Sequence, residues 1–244
     1  MVLTGYTFCM NNIEKVLEKI EEVCEPSSIF LYGSRARTDA TESSDYEIGV
    51  LLSEAKYVGR AVLREAVRDK GISIYPFKLE QFKSGNPDTP FNKKIYMREL
   101  IVSGKTLRGE KIIENMPIPS IDTVEVLSDA QFNLGYALAS TIAHRDGSQQ
   151  TANLLFYKSC LFGARSLVME KLGKLPATYD EILANTKEID LGEYADLVEN
   201  AYQSRQSGSY EPTMLFKNIS FLNQMVIPSI RKHLEEQGNK VLVA

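Results

Sequence analysis

The sequence has no apolar run that approaches the ~20 residues needed to span a membrane. Residues 1–12 contain no basic segment followed by an apolar core, so no secretory signal is expected. The three cysteines, Cys9, Cys24 and Cys160, are far apart and form no Cys-x-x-Cys pair, which excludes the common zinc and redox motifs. These absences predict a cytoplasmic protein with reduced thiols and no membrane partner.

An excess of positive charge is also missing. The chain has 28 Lys and Arg against 32 Asp and Glu, a formal net charge of −4 at pH 7. This balance disfavours broad electrostatic binding to nucleic acid, although it is compatible with a local basic patch. With 244 residues, of which 43% are hydrophobic, the chain is long enough for one large domain or two of ordinary size.

Two short apolar runs, residues 29–32 and 48–52, carry the clearest signal in the chain. Short apolar runs bounded by small and polar residues are typical of buried strands. A Gly-Ser pair follows the first run directly, and two acidic residues stand at the head of the second. The stretch therefore predicts two strands that bring a pair of acids opposite a glycine-serine turn.

The two acids are Asp45 and Glu47. Residues two apart on a strand point to the same face, so the two carboxylates are expected side by side with Tyr46 turned away. Adjacent like charges repel unless a cation lies between them. A pair of oxygen ligands suits Mg²⁺ (or Mn²⁺), which completes its shell with water and phosphate oxygens. The pair is therefore predicted to hold the metal and to be catalytic.

The turn supplies the complementary half of the predicted site. Gly33 lets a ligand approach the backbone closely, and the amides of Ser34 and Arg35 can open a short helix or nest that holds phosphate. The side chains of Arg35 and Arg37 add positive charge beside it. Together with the acids, these residues describe a site for a metal-bound nucleoside triphosphate.

This motif resembles a known signature. The run Gly33-Ser34-Arg35-Ala36-Arg37, followed after seven residues by Asp45-x-Glu47 with Ser44 before it, resembles the nucleotidyltransferase superfamily, most closely its minimal nucleotidyltransferase (MNT) domains. Thr38 replaces the usual Gly, and Glu47 replaces the usual second Asp. The resemblance places Ser44 with Gly33, Ser34 and the two arginines in the phosphate-binding set.

The third predicted strand departs from the family pattern. Members of the superfamily commonly place a third carboxylate there, which helps to bind the metal and activate the attacking hydroxyl. Here the corresponding run is Ile72-Ser73-Ile74, and a serine hydroxyl is a poor ligand and no base near neutral pH. The departure leaves nucleotide binding expected and catalysis uncertain. In some relatives the base comes from the helical domain, where Glu125 and Asp129 are the candidates.

The rest of the chain predicts an α+β protein. Residues 1–116 are expected to form a nucleotidyltransferase fold, a small mixed sheet with helices, and residues 117–244 an all-α helix bundle, with the proline-rich segment 116–119 as the linker. In the first half, helices are predicted over 12–24, 53–70 and 91–102, and strands over 72–77 and 104–108. The inward residues expected for the helix over 53–70 are Val58, Val62, Ala66 and Val67. In the second half, helices are predicted over 120–145, 151–172, 179–187, 191–203 and 212–237, with Pro228 kinking the last. On the helix over 120–145, one apolar face is expected to point to the core and consists of Val124, Leu127, Leu134, Leu138 and Ile142.

The second half resembles the HEPN helical domains that often accompany MNT domains. The resemblance lies in residues 157–167 and in residues 201–206 followed by Tyr210. Ribonuclease members use an Arg followed after four to six residues by His. Here Arg205 is followed by Tyr210 at that distance, so the acid/base group is missing and a non-nucleolytic domain is expected.

Two functions follow from these observations. The first is a nucleotidyltransferase that moves a nucleoside monophosphate, most simply AMP, from a magnesium-bound triphosphate to a hydroxyl group. The acceptor by resemblance is a protein, an RNA end or a small hydroxylated molecule, and a homodimer is common among relatives. The alternative is a catalytically degraded nucleotide-binding module that regulates or partners another chain, as in toxin–antitoxin pairs of the MNT–HEPN kind.

Overall fold

The computed structural model describes residues 3–37, 39–41 and 44–244, with side chains described from residue 13 onward. The chain divides into two compact units, Met1–Ile118 and Pro119–Ala244. The first is a mixed sheet with helices and the second is helical, so the predicted fold class is confirmed. In the described part of the chain, no helix is both long and apolar enough to cross a membrane.

The first unit is built on a four-stranded sheet in the order β3-β2-β1-β4. Strand β1 is antiparallel to both of its neighbours, whereas β2 and β3 are parallel. Pro76 lies within β3, which is an edge strand, where a residue without a backbone N–H is tolerated. The elements are α1 (Leu3–Val23), β1 (Ser28–Tyr32), β2 (Tyr46–Leu52), α2 (Arg60–Val67), β3 (Ile72–Lys78), α3 (Leu79–Lys83), α4 (Lys93–Ser103) and β4 (Lys105–Gly109).

Both faces of this sheet are covered, because apolar side chains alternate between two cores. One core joins the sheet to α1 and α2 and includes Ile29, Ile48, Leu63 and Ile74. The other joins it to α3 and α4. The aromatic and apolar side chains that form this second core include Phe30, Tyr32, Leu51, Phe77, Phe82, Met97 and Leu100.

The helix predicted over 53–70 is shorter than expected. A 3₁₀ turn spans Glu54–Lys56, and α2 covers only Arg60–Val67. Its buried residues are Leu63 and Val67, whereas Val62, predicted to face inward, is exposed. The helix ends early because Arg68 adopts a left-handed conformation with φ of 49°.

The second unit consists mainly of helices and also contains a two-stranded antiparallel ribbon that sequence analysis did not predict. A six-residue π-helical segment, Phe221–Val226, directly precedes the helix that contains Pro228, where a kink was predicted. The elements are β5 (Ile121–Asp122), α5 (Thr123–Arg145), α6 (Gln149–Leu172), α7 (Tyr179–Thr186), α8 (Ala195–Ser207), α9 (Pro212–Ser220), α10 (Ile227–Gln237) and β6 (Val241–Val243).

The inward face of α5 differs from the prediction. Val124, Leu138 and Ile142, expected in the core, are 46%, 47% and 51% exposed. The buried side chains are smaller or polar, and they include Ala130, Asn133, Ala137 and Ser140. Small side chains let two helices approach closely, and α5 packs most extensively on α6.

Candidate functional site

The centre of the site is a contact between Gly33 and Glu47. The register of β1 on β2 places Tyr32 opposite Glu47, so Gly33 comes just beyond the end of the paired segment. Gly33 has a φ of +72°, and an added Cβ there would lie 1.9 Å from Oε2 of Glu47. This φ lies in the left-handed region that favours glycine, and a side chain at this position would have to displace the Glu47 carboxylate.

The chain makes one helical turn directly after Gly33. The amides of Ala36 and Arg37 both donate to the Gly33 carbonyl, each at 3.1 Å. Ser34 and Arg35 are therefore the first residues of the turn, where helix amides point toward the N-terminal side. This is the geometry that sequence analysis predicted for holding phosphate, and the role of Ser34 stays a prediction.

Arg35 connects the turn to the segment that carries the acids. Its Nε and Nη2 atoms donate to the carbonyl oxygen of Ser44 at 3.0 and 2.8 Å. Its guanidinium also lies over the Tyr46 ring, with Cζ 5.0 Å from the ring centroid. Arg35 thereby contacts the residues on both sides of Asp45, which lies one residue before β2. It positions the first acid, and direct contact with phosphate is a prediction.

The loop that follows is held by further polar contacts. Arg37 forms an ion pair with the buried carboxylate of Asp39, with 3.1 Å between Nε and Oδ1. The hydroxyl of Ser44 accepts a hydrogen bond from the Thr41 amide at 2.9 Å. Arg37 and Ser44, both predicted to bind phosphate, therefore also shape the loop. Thr38 lies outside the described residues.

The acid pair fits the donor set that Mg²⁺ prefers. Asp45 and Glu47 are half-buried and stand at the start of β2, where two carboxylates leave room for water and phosphate oxygens as further ligands. Ser73 is the register partner of Glu47 on β3, so the strand position beside Glu47 carries a hydroxyl in place of an acid. Among the described residues, no group of three or more His, Cys, Asp or Glu side chains is placed to hold a metal ion.

Three tyrosines, Tyr32, Tyr75 and Tyr96, form a cluster near Glu47. The Tyr32 and Tyr75 rings lie 6.0 Å apart, and the hydroxyls of Tyr32 and Tyr96 are 3.5 Å apart. Burial raises the pKa of Tyr32 and of Tyr96, and the negative charge of Glu47 raises both pKa values further. Tyr32 and Tyr96 therefore keep their hydroxyl protons at neutral pH and lie near the Glu47 carboxylate. The alternation of side chains along β3 places Tyr75 on the face of the sheet that carries Glu47. No local sequence pattern indicates that Tyr96 lies close to it.

The candidate bases of the helical unit have different surroundings. Asp129 is buried, and its Oδ2 lies 3.3 Å from Arg165 Nη2 and 3.1 Å from the Ser166 hydroxyl. The Asp129 carboxylate therefore makes structural contacts inside the helical unit. Glu125 is half-buried in the first turn of α5, where its amide donates to the side chain of Asp122. A role for Glu125 as base stays a prediction.

The two residues that mark the HEPN-like motif make separate contacts. The Arg205 guanidinium lies 4.4 Å from the centroid of the Tyr179 ring. The Tyr210 hydroxyl lies 2.8 Å from Nδ1 of His144 and donates to Gln149. Tyr210, in the segment between α8 and α9, therefore pairs with a histidine in the last turn of α5, which spacing along the sequence did not indicate.

Two comparisons with known proteins give matches. Residues 11–106 match the family model described as polymerase beta, nucleotidyltransferase. A crystal structure of spectinomycin adenyltransferase AAD(9) from Enterococcus faecalis, with ATP and spectinomycin, has a similar fold at a TM-score of 0.58 and 14% identity. The alignment covers 91% of this chain and 98% of that chain, so the fold likeness includes the helical unit. No curated protein sequence matches the chain significantly.

Proposed function

We propose that the protein is a nucleotidyltransferase that moves AMP from ATP to a hydroxyl group of an acceptor. The observation that carries this proposal is the Glu47 carboxylate packed against the backbone of Gly33 at the start of a helical turn. A nucleotide whose phosphates lie on this turn has its reacting phosphorus beside the acid pair. The family match over residues 11–106 supports the same chemistry.

Different residues are proposed to bind the metal and the phosphates. Asp45 and Glu47 would hold Mg²⁺ (or Mn²⁺), which when bound neutralises the phosphate charge that develops in the transfer. Gly33 allows the phosphates to approach, Ser34 offers the first amide of the turn, and Arg35 holds the segment beside Asp45. The acceptor oxygen bonds to the α-phosphorus, the bond to the bridging oxygen of the β-phosphate breaks, and pyrophosphate leaves. The hydroxyl proton passes to a general base, a role that is assigned to none of the described residues.

The nature of nucleotide and acceptor is proposed from the fold neighbour. That enzyme is an adenyltransferase seen with ATP and spectinomycin, a small hydroxylated molecule, and its fold likeness extends over both units of this chain. We therefore favour ATP and a small hydroxylated acceptor over a protein or an RNA end. A HEPN-like role for the second unit, a homodimer and the division at residues 116–117 remain proposals from the sequence.

Calorimetric titration tests the site. ATP, CTP, GTP and UTP are titrated with and without Mg²⁺ into the wild type, Asp45→Asn and a control, Asp88→Asn, which removes the same charge from an exposed loop residue. We expect Mg²⁺-dependent binding, strongest for ATP, that Asp45→Asn loses and Asp88→Asn keeps. Unchanged affinity in Asp45→Asn would contradict the assignment of the acid pair.

One observation favours the alternative function. Ser73 stands beside Glu47, where a third acid is expected, so a nucleotide can bind at a site that lacks its base. The protein would then be a nucleotide-responsive regulator or a partner chain of the toxin–antitoxin kind. The two functions are separated with ATP labelled at the α-phosphate, incubated with a panel of hydroxylated small molecules, RNA and protein. Tight Mg²⁺-dependent binding with no labelled product from any acceptor supports the regulator.

A further inference from the structure

The outward side of α5 is apolar. The outward side of a surface helix normally carries charged and polar side chains, and a helix that is apolar all round is normally buried. The inward side of α5 packs through small residues such as Ala130 and Ala137, so its large apolar residues lie on the other side. We call that side the α5 face, and its residues are Val124, Leu127, Ser128, Gln131, Leu134, Gly135, Leu138 and Ile142.

The apolar residues of the α5 face follow one side of the helix. Val124, Leu138 and Ile142 are each about half exposed, and Leu127 and Leu134 are partly exposed. They recur at intervals of three, four and seven residues, which keeps them on the same side, and no charged residue lies on the α5 face. Single exposed apolar residues are ordinary on a protein surface, whereas an exposed apolar patch marks a site of interaction.

Gly135 lies in the middle of the α5 face. Inside a helix, glycine is less favourable than alanine, because it loses more conformational freedom on folding. Nothing lies within 4 Å of a Cβ added at Gly135, so packing within the single chain gives no reason for a glycine at this position. A second helix that crosses here supplies a reason, since the distance between two packed helices depends on the side chains at the contact.

From this face we propose that the protein forms a homodimer in which α5 packs antiparallel against α5 of a second copy, with the two helices crossing near Gly135. A two-fold axis brings the same surface of both copies together, so the face has to complement itself. Residues equally far from Gly135 then meet across the axis, and Ile142 of one copy lies opposite the small Ser128 of the other. None of these residues is assigned to nucleotide transfer, so the dimer is independent of the proposed function.

The charges at the two ends of α5 favour the antiparallel direction. Glu125 lies in the first turn of the helix and Arg145 in its last turn. In an antiparallel pair, the end that carries the acid approaches the end that carries the arginine, and the two helix dipoles also run in opposite directions. A parallel pair would instead bring like charges together at both ends.

The length of α5 suits an interface between two whole chains. A standard interface takes about 800 Å² from each partner, and α5, with 23 residues, is about 35 Å long. Along that length the interface is roughly 23 Å wide, about twice the width of one helix. An isolated helical peptide would cover only the width of α5, whereas a second copy also brings the helices that pack beside its own α5, namely α6, α9 and α10.

The test measures self-association of the full chain by sedimentation velocity, at protein concentrations from ~1 to ~100 μM. Leu138→Glu and Ile142→Glu each place a charge on the α5 face. The control is Val102→Glu, which makes the same kind of change at a similarly exposed apolar residue of α4. Circular dichroism and thermal unfolding check that each variant is folded, which we expect because the substituted side chains are exposed.

We expect the wild type and Val102→Glu to sediment at twice the chain mass of 27.4 kDa. Leu138→Glu and Ile142→Glu are expected to raise the dissociation constant of the dimer at least about tenfold. A wild type that stays monomeric at every concentration, or a dimer that both α5 variants leave intact, would overturn the proposal. Equal loss of the dimer in Val102→Glu would overturn its assignment to the α5 face.

Gly135→Gln tests the crossing point. The single chain has room for an added side chain at this position, and glutamine favours a helix more than glycine does. We therefore expect a folded variant that associates at least about tenfold more weakly, because the new side chain separates the two helices. An unchanged dimer would overturn the close contact at Gly135.

The antiparallel direction has its own test. Tagged Ser128→Cys and untagged Ile142→Cys are mixed and treated with a short thiol cross-linker, with the wild type as the control for the native cysteines. We expect a product that joins the two variants, since these positions lie opposite each other across the axis. A product that joins Ser128→Cys only to itself, or no product above the wild-type background, would overturn the antiparallel arrangement.

Discussion

The carboxylate of Glu47 occupies the space that any side chain at residue 33 would need, since an added Cβ on Gly33 would lie 1.9 Å from Oε2. Two properties of this site therefore depend on one contact. The glycine allows the backbone to turn with φ of +72°, and the acid is fixed against the residues proposed to hold phosphate. The relationship is specific enough to be tested by adding a single methyl group.

We expect Gly33→Ala to remove Mg²⁺-dependent nucleotide binding, because the methyl group displaces the Glu47 carboxylate. A suitable control is Gly85→Ala, since Gly85 has nearly the same φ, +71°, with nothing within 4 Å of an added Cβ. Both variants carry backbone strain of about 1–2 kcal/mol, and only the first carries the clash. Thermal unfolding measures the shared loss of stability, and calorimetry measures the binding. If both variants bound the nucleotide with equal affinity, nucleotide binding would not depend on the position of the Glu47 carboxylate against Gly33.

The second prediction concerns Arg35, which is expected to position Asp45 and not to contact the metal. Its two N–H groups hold the Ser44 carbonyl, next to Asp45, and lysine cannot donate from two fixed atoms at once. We expect Arg35→Lys to weaken ATP binding about tenfold in the presence of Mg²⁺ and to leave any ATP affinity measured without metal unchanged. Arg108→Lys is the control. The Arg108 guanidinium also contacts two partners, Glu14 and Glu21, and Arg108 lies on a different strand, β4. If Arg35→Lys weakens binding equally without metal, Arg35 contacts the phosphate directly.

Sequence analysis predicted the local part of this site. Gly33, Asp45 and Glu47 are brought together by two adjacent strands, and strand alternation and turn chemistry act within a few residues. The position of Ser73 could also be predicted. Sequence analysis assigned Ser73 to the place of the third acid, and it lies beside Glu47 on the neighbouring strand.

The remaining features depend on tertiary packing. The contact of Arg35 with the Ser44 carbonyl and the approach of Tyr96 to Tyr32 join segments that no periodicity relates. The inward face of α5 was predicted from its large apolar residues, but the helix packs through small ones such as Ala130 and Ala137. Apolar periodicity identifies a helix face only when the largest side chains are the buried ones.

Ser73→Asp distinguishes an enzyme that lacks one acid from a regulator. The substitution places a carboxylate beside Glu47 on the neighbouring strand, where it can bind metal or accept the hydroxyl proton. We expect labelled AMP transfer to rise at least roughly tenfold if the other groups are in place. Ser84→Asp, at an exposed position after α3, adds the same charge away from the site and is expected to change nothing. Unchanged transfer with stronger Mg²⁺ binding in Ser73→Asp would favour the regulator.

The buried acid of the helical unit predicts a pH dependence of stability. Burial raises the pKa of Asp129 from its ordinary value of 3.8 to about 7, against the opposing effect of hydrogen bonds from Ser166 and Asn133. Because the folded state then holds a proton that the unfolded state has lost, the stability from this group is fully present below pH 4. It falls as the pH rises toward 7, by at most about 4 kcal/mol at ~1.4 kcal/mol per pKa unit. The ion pair with Arg165 reduces that figure.

Asp129→Asn keeps the shape of the side chain and removes its titration. We expect the free energy of unfolding of the wild type, relative to that of Asp129→Asn, to decrease between pH 4 and pH 7, as measured by urea unfolding at each pH. Asp146→Asn, which alters an exposed acid after α5, is expected to show no such trend. If the wild type instead gains stability over Asp129→Asn as the pH rises, attraction to the Arg165 guanidinium outweighs the effect of burial. Asp129 would then be ionised in the folded protein, and the buried group would act as a structural ion pair across α5 and α6.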